Sequence, residues 1–89
     1  MADVTVYTSA YCPFCFAAKR LLESLEISFE EIDLDEHPEL RQRITEETGW
    51  RTVPMIFVGD RLVGGFSDAR ELHSRGRLLP MIEEQAQAG

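Results

Sequence analysis

The chain has 89 residues, of which 44% are apolar and 28% charged, and its formal net charge is −7. This length and composition are typical of a single small globular domain over residues 1–89, and they exclude collagen-like and disordered classes. The acidic excess disfavours nucleic acid as a partner because phosphate binding needs clustered basic residues, and no apolar run reaches the about 20 residues of a membrane span.

The first half of the chain reads as strand, helix, strand, helix. Alternating apolar and polar residues over 3–7 predict a strand, and an apolar stripe over 13–26, with Pro13 at the first helical position, predicts an amphipathic helix. Residues 27–34 are strand-like, although the alternation slips at Glu30 and Glu31, which indicates a bulge or an edge strand. Pro38 and Gly49 bracket a second helix.

The second half reads as a hairpin followed by a helix. Segments 53–58 and 61–63 flank Gly59-Asp60, a pair suited to a two-residue turn. Ser67 is the predicted N-cap of a helix that ends near Gly76. Residues 78–84 add a last turn or two, and 85–89 form a frayed tail. The order β-α-β-α-β-β-α predicts an α/β fold in which a right-handed parallel crossover and the hairpin share one sheet, with helices on both faces.

The chain has two cysteines, Cys12 and Cys15, at the predicted junction of the first strand and the first helix. Structural zinc needs four ligands, and the other ligands of the usual kind are His37 and His73, which lack paired spacing. An intramolecular zinc site is therefore disfavoured, while a cluster between subunits stays open. The alternative is that both thiols are small buried side chains of the core, as free cysteines often are.

The position of the pair favours a reactive dithiol. Cys12 would meet the free backbone N–H groups at the start of the helix, which favour a thiolate. Cys15, one turn later on the buried stripe, would stay a thiol and could close a disulfide with Cys12. The N-terminal sequence MADVTVYT has no basic region followed by an apolar stretch. We therefore expect a cytoplasmic location, where cysteine pairs are catalytic more often than structural.

Three motifs, CPFC at 12–15, RTVP at 51–54 and GGFSD at 64–68, resemble those of dithiol glutaredoxins in the thioredoxin superfamily, at matching spacings over essentially the whole chain. The resemblance implies a thioredoxin fold with a four-stranded mixed sheet flanked by helices. It also implies a monomeric enzyme with a nucleophilic Cys12 and a resolving Cys15. Such an enzyme reduces protein disulfides and protein-glutathione mixed disulfides with glutathione as co-substrate and no metal.

The resemblance further implies a glutathione groove across the three motifs. The Val53-Pro54 bond is cis in the family, which would present the Val53 backbone to glutathione as an added strand. Gly65 would permit close approach, and the helix opened by Ser67 and Asp68 could hold the γ-glutamyl end. The residues implied for glutathione binding are Tyr11, Phe14, Arg41, Arg51, Thr52, Val53, Pro54, Gly65, Ser67 and Asp68.

Two positions depart from the family pattern. Ser9 stands where many relatives carry a lysine that helps to bind glutathione, and Phe66 stands where relatives often have an extra cysteine. Arg41 and Arg51 could supply the missing positive charge, or they could form solvated ion pairs. These departures keep two alternatives open, a glutaredoxin-like redoxin reduced by thioredoxin reductase and, with less support, an iron-sulfur cluster carrier. A structural binding module ranks below both.

Overall fold

The structure, a computed structural model, describes the backbone of residues 4–88 and the side chains of residues 4–84. Four strands and four helices follow one another along the chain. They are β1 (Val4–Thr8), α1 (Pro13–Ser24), β2 (Glu30–Asp33), α2 (Pro38–Thr48), β3 (Met55–Val58), β4 (Arg61–Gly64), α3 (Phe66–Ser74) and α4 (Leu78–Ala88). None of these helices is long and apolar enough to cross a bilayer.

The strands form one mixed sheet in the order β2-β1-β3-β4. β1 is parallel to β2 and antiparallel to β3, and β3 and β4 form the expected hairpin. In this register Val6 stands between Glu31 of β2 and Ile56 of β3, so these three side chains share one face of the sheet. The predicted α/β fold with a four-stranded mixed sheet is confirmed.

Helices cover both faces of the sheet because apolar residues alternate along its central strands. Even-numbered residues of β1 and β3 pack with α1, α3 and α4 in the larger core cluster, which includes Val6, Ala18, Leu22, Ile56, Ala69 and Leu78. Odd-numbered residues face α2 in the second cluster, where Met55 packs with Leu34 and Ile44. The amphipathic stripe of α1 lies on the first of these faces, and Cys15, Ala18 and Leu22 are its buried residues.

Several element boundaries differ from those expected. β2 begins at Glu30 rather than 27, because Glu26 has a positive φ of 58° and the Ile27 N–H donates to the Leu22 carbonyl at 2.9 Å, which wraps the chain around the end of α1. β3 begins at Met55, directly after the cis Val53-Pro54 bond. β1 runs one residue further than the predicted 3–7, and Asp3 lies outside the described residues.

Two predictions for the last third of the chain were wrong, namely the N-cap of α3 and the end of the last helix. α3 begins at Phe66 with Gly65 as its N-cap, not with Ser67, because the Asp68 carboxylate accepts the Gly65 N–H at 2.9 Å from the third helical position. α4 is a separate helix that continues to Ala88, past the predicted end at 84. Alanine and glutamine are good helix formers, so the tail sequence QAQA extends the helix instead of fraying. Residue 89 lies outside the described residues.

Candidate active site

The loop between β1 and α1 places Cys12 at the N-terminus of α1. Cys12 is the N-cap, with extended backbone angles of −110° and 102°, and Pro13 follows at the first helical position. The Cys12 sulfur accepts the Cys15 N–H at 3.2 Å, as a capping side chain does. Local sequence and helix geometry thus aim a backbone N–H group at this sulfur.

A second backbone segment meets the sulfur from across the sheet. The Val53-Pro54 peptide bond is cis, as the resemblance implied. The Cys12 thiol lies 3.6 Å from the Val53 carbonyl oxygen and donates to it. Cys12 and Val53 are 41 residues apart in the sequence, so this contact brings the CPFC and RTVP motifs together.

Cys15 is in a different environment. Its side chain is only 3% exposed and packs on the sheet side of α1. Burial, followed by its hydrogen bond with Cys12, raises the pKa of the Cys15 thiol from 9.0 to about 12. Both cysteines are free thiols in this structure. The buried thiol therefore holds its proton at neutral pH, while the half-exposed Cys12 sulfur is the one that a substrate can reach.

A groove of about 390 Å³ passes beside the reactive sulfur. Its walls come from α1, the segment before β3 and the start of α3. They are Phe14, Trp50, Thr52, Val53, Pro54, Gly65, Phe66, Ser67 and Asp68. Seven of the ten residues expected to bind glutathione are in this set.

The start of α3 forms one wall of the groove. A Cβ atom added to Gly65 would lie 3.6 Å from Trp50 Cζ2 and 3.7 Å from the Pro54 carbonyl oxygen, so the missing side chain leaves backbone exposed to the groove. Phe14 and Phe66 stack across the opening with ring centroids 6.4 Å apart. The groove is therefore bordered by aromatic rings and ends at a helix N-terminus, where an anionic group is favoured.

Three of the expected binding residues lie outside the groove walls. Tyr11, with a positive φ of 56°, is 99% exposed. Arg51 is exposed, and Arg41 donates from Nη2 to the Arg51 carbonyl oxygen at 3.4 Å. The two arginines are thus neighbours beside the RTVP segment, and neither one lines the groove.

Ser9, at the position of the family lysine, forms hydrogen bonds with an acidic residue. Its hydroxyl donates to both carboxylate oxygens of Asp35 at 2.8 and 2.9 Å, and the Ala10 N–H donates to the same carboxylate at 2.9 Å. These hydrogen bonds, the one from Ala10 first, lower the pKa of Asp35. The Asp35 carboxylate therefore joins the loop before Cys12 to the turn after β2 through these hydrogen bonds.

Two groove residues were missed among the expected binding residues. They are Trp50 and Phe66, the second of which was noted only as a departure from the family pattern. Trp50 packs in the cluster of Leu34, Ile44 and Met55, and its ring edge also forms part of the groove wall. Trp50 directly precedes the RTVP motif and Phe66 lies within the GGFSD motif, which is the signal that could have identified them.

The described residues contain no group of three or more His, Cys, Asp and Glu side chains placed to hold a metal ion. What the site brings together instead is one half-exposed sulfur, one buried thiol within a helical turn of it, and an adjoining open groove. This arrangement suits exchange between a dithiol and a disulfide, in which a mixed disulfide forms on the outer sulfur and the inner thiol resolves it.

Comparison with known proteins agrees with this chemistry. The sequence profile of the glutaredoxin family matches residues 4–63. A glutaredoxin of Pseudomonas aeruginosa is 42% identical over 82 residues, covering 92% of this chain and 98% of that protein. Glutaredoxin 3 of Escherichia coli is 39% identical over 83 residues, covering 93% of this chain and all of that protein.

Among solved structures, a buckwheat glutaredoxin-glutathione complex superposes with a TM-score of 0.88 and 31% identity, covering 96% of this chain and 80% of that one. This likeness in structure shows that the fold is the thioredoxin fold, and the Cys12-Cys15 pair fits a site of the dithiol type. The chain therefore belongs to the glutaredoxin family of thiol-disulfide oxidoreductases.

Proposed function

We propose that the chain is a glutathione-dependent oxidoreductase that reduces protein-glutathione mixed disulfides through Cys12 and protein disulfides through Cys12 and Cys15. The observation that carries the proposal is the groove between Val53 and the start of α3, directly beside the Cys12 sulfur. A tripeptide of glutathione's size fits a groove of this volume, and a redoxin that met only protein thiols would not need one.

The groove offers separate partners to the parts of glutathione. The Val53 backbone lies next to the sulfur and suits strand-like pairing with the cysteinyl unit. At the α3 end, N–H groups of the first helical turn suit the γ-glutamyl carboxylate, and the exposed Asp68 carboxylate suits its ammonium group. That a buckwheat relative has been solved as a glutathione complex supports the same assignment.

The two cysteines divide the reaction. The Cys12 thiolate attacks the disulfide of a glutathionylated protein, the protein thiol leaves, and glutathione stays on Cys12 until a second glutathione releases it as glutathione disulfide. This route does not use Cys15. With a protein disulfide, the buried Cys15 attacks the mixed disulfide on Cys12 and frees the second protein thiol, after which glutathione reduces the enzyme disulfide.

The test is steady-state reduction of a glutathionylated peptide, coupled in parallel to glutathione with glutathione reductase and to thioredoxin reductase alone. We expect turnover with the first system, loss of all turnover in Cys12→Ser, and retained turnover in Cys15→Ser. With a protein disulfide as substrate, Cys15→Ser should be inactive.

Turnover with thioredoxin reductase alone would instead assign the chain to the redoxins, and turnover by Cys12→Ser would reject the proposed nucleophile. As a matched control, Ser24→Ala removes a hydroxyl at the far end of α1, where its partner is the Leu21 carbonyl. This variant should keep both activities.

A further inference from the structure

The buried thiol of Cys15 raises a problem for the second half of the reaction. To resolve a mixed disulfide, Cys15 must become a thiolate, yet its side chain is only 3% exposed, and this burial is the largest cause that raises its pKa. Burial persists when Cys12 carries glutathione, so a group that stabilises the Cys15 thiolate should speed resolution.

One charged side chain is placed to do so. Lys19 follows Cys15 by four residues on α1, which puts the two side chains on the same face of the helix. Its ammonium lies 3.0 Å from Glu31 Oε2, and the Lys19 side chain is only 23% exposed. The register that pairs Glu31 with Val6 puts this ion pair on the sheet face that α1 covers, where Cys15 is also buried.

Further contacts fix Lys19 in this place. Glu31 Oε2 also accepts the hydroxyl of Thr8, which is 3% exposed, at 2.9 Å. The Lys19 ammonium lies 4.9 Å from the centroid of the Phe16 ring. Lys19 thus pairs with a carboxylate that is itself hydrogen-bonded to Thr8, the last residue of the central strand β1. The contacts of Lys19 with Glu31 and Phe16 hold its positive charge one turn of α1 after Cys15.

From this arrangement we infer that Lys19, fixed by Glu31 and Thr8, is a positioning residue that stabilises the thiolate of Cys15 and so speeds the resolution of mixed disulfides. The inference rests on the proposed glutathione chemistry for the mixed disulfide that is resolved. In this step Cys15 gives its proton to solvent and its thiolate attacks the Cys12 sulfur. The Cys12-Cys15 bond forms, the bond from Cys12 to the glutathione sulfur breaks, and the glutathione thiolate leaves with the electron pair and takes up a proton.

The charges around Cys15 support this role. Burial and then the hydrogen bond with Cys12 raise the pKa of Cys15, whereas a hydrogen bond from the backbone of Ser9 and, after it, the charge of Lys19 lower the pKa. Glu31 stays ionised because the Lys19 ammonium, and then the Thr8 hydroxyl, hold its pKa below the ordinary value against the opposing effect of burial. A further charged group lies on α3, which packs against α1: the Asp68 carboxylate, which accepts the Gly65 N–H at the groove.

The size of the effect follows from two opposing trends. Lowering the pKa of Cys15 by one unit raises its thiolate fraction about tenfold and lowers its nucleophilicity about threefold, so the net gain in rate is about threefold. We expect Lys19→Met to slow resolution by about this factor near neutral pH.

The experiment mixes the reduced enzyme with a glutathionylated peptide, quenches with acid at successive times, and separates the reduced, glutathionylated and disulfide forms of the enzyme by mass spectrometry. In Lys19→Met, formation of the glutathionylated enzyme should be unchanged and its conversion to the disulfide form about threefold slower. Lys19→Arg keeps the charge and should restore the rate. Arg20→Met removes a charge from the neighbouring, exposed residue of α1 and should match the parent enzyme.

Equal conversion rates for Lys19→Met and the parent enzyme would overturn the inference. So would a slowing that Lys19→Arg fails to restore, since it would mark a purely structural role. Failure of the proposed function is a separate outcome, because the parent enzyme would then form no glutathionylated intermediate. The Cys15→Ser variant should accumulate that intermediate, with or without Lys19→Met.

Discussion

At the scale of single residues, two adjacent glycines before α3 have different reasons for lacking a side chain. Gly64 has a positive φ of 123°, and a Cβ atom added there would lie 2.5 Å from Asp68 Oδ2. Gly65 has an ordinary φ of −93°, and its added Cβ would make van der Waals contacts of 3.6 Å or more. The first glycine is required by the backbone, whereas the second keeps the groove open.

The pair therefore predicts opposite consequences for two conservative substitutions. Gly64→Ala should lower the free energy of unfolding by about 2 kcal/mol, because it strains the backbone and displaces the carboxylate that caps α3. Gly65→Ala should change stability by less than about 0.5 kcal/mol but raise the KM for glutathione several-fold, since the methyl group enters the groove. Urea unfolding followed by circular dichroism and steady-state kinetics measure the two effects. Equal stabilities for both variants would contradict this assignment.

How far the site could be predicted also differs from residue to residue. Cys12 and Cys15 were identified from their spacing at the junction of a strand and a helix, and Val53 was named from the resemblance of its motif to that of the family. Trp50 was not, because its role depends on packing: the indole lies between the Met55 cluster and Gly65, and its buried Nε1 has no hydrogen-bond partner among the described residues. Tyr11, Arg41 and Arg51 were expected to bind glutathione, and the structure places them outside the groove walls.

At the scale of the elements, the loop between β1 and α1 is held by charge. Asp35, in the turn after β2, receives hydrogen bonds from Ser9 and Ala10, which lower its pKa below the ordinary value of about 3.9. A carboxylate with a lowered folded-state pKa stabilises the fold at pH values above its unfolded pKa. That contribution is lost as the pH falls through the folded-state value.

Asp35→Asn should therefore lower the urea midpoint at about pH 7, and the difference from the parent protein should shrink as the pH is lowered and the Asp35 carboxylate takes up its proton. Asp60→Asn, an exposed position in the hairpin turn, is the matched control and should leave the midpoint unchanged over the same pH range. A difference for Asp35→Asn that stays constant with pH would show that the loop does not depend on the carboxylate charge.

The elements themselves could be predicted where local signals and packing agree. The α1 stripe, the Gly59-Asp60 hairpin and the Pro38 to Gly49 helix all matched the structure, since turn residues and periodicity mark their limits. The boundary of β2 could not be found in this way. Ile27 and Phe29 are residue types that favour strands. The Ile27 N–H, however, closes the end of α1, and both apolar side chains pack into the larger core cluster from a loop.

At the scale of the whole molecule, net charge controls which substrates approach the site. The chain carries −7, and its isoelectric point is about 4.7, so the field around it at neutral pH is negative. Such a field slows the approach of anions and speeds the approach of cations, and salt screens both effects over about 10 Å at 0.1 M. Among the substrates of the proposed function, glutathionylated proteins with basic flanking segments should therefore react faster than acidic ones of equal reactivity.

This preference can be measured with two glutathionylated peptides that differ only in their flanking residues, which are lysines in one peptide and glutamates in the other. At low salt we expect kcat/KM for the lysine peptide to exceed that for the glutamate peptide by about threefold to tenfold, because attraction raises the encounter rate. Raising the salt concentration from about 20 mM to about 300 mM should lower the first value and raise the second until they nearly meet. A peptide with neutral flanks should change little and serves as the control. If the ratio between the two charged peptides did not change with salt, selectivity would have to come from contacts at the groove, and charge over the whole molecule would have no part in it.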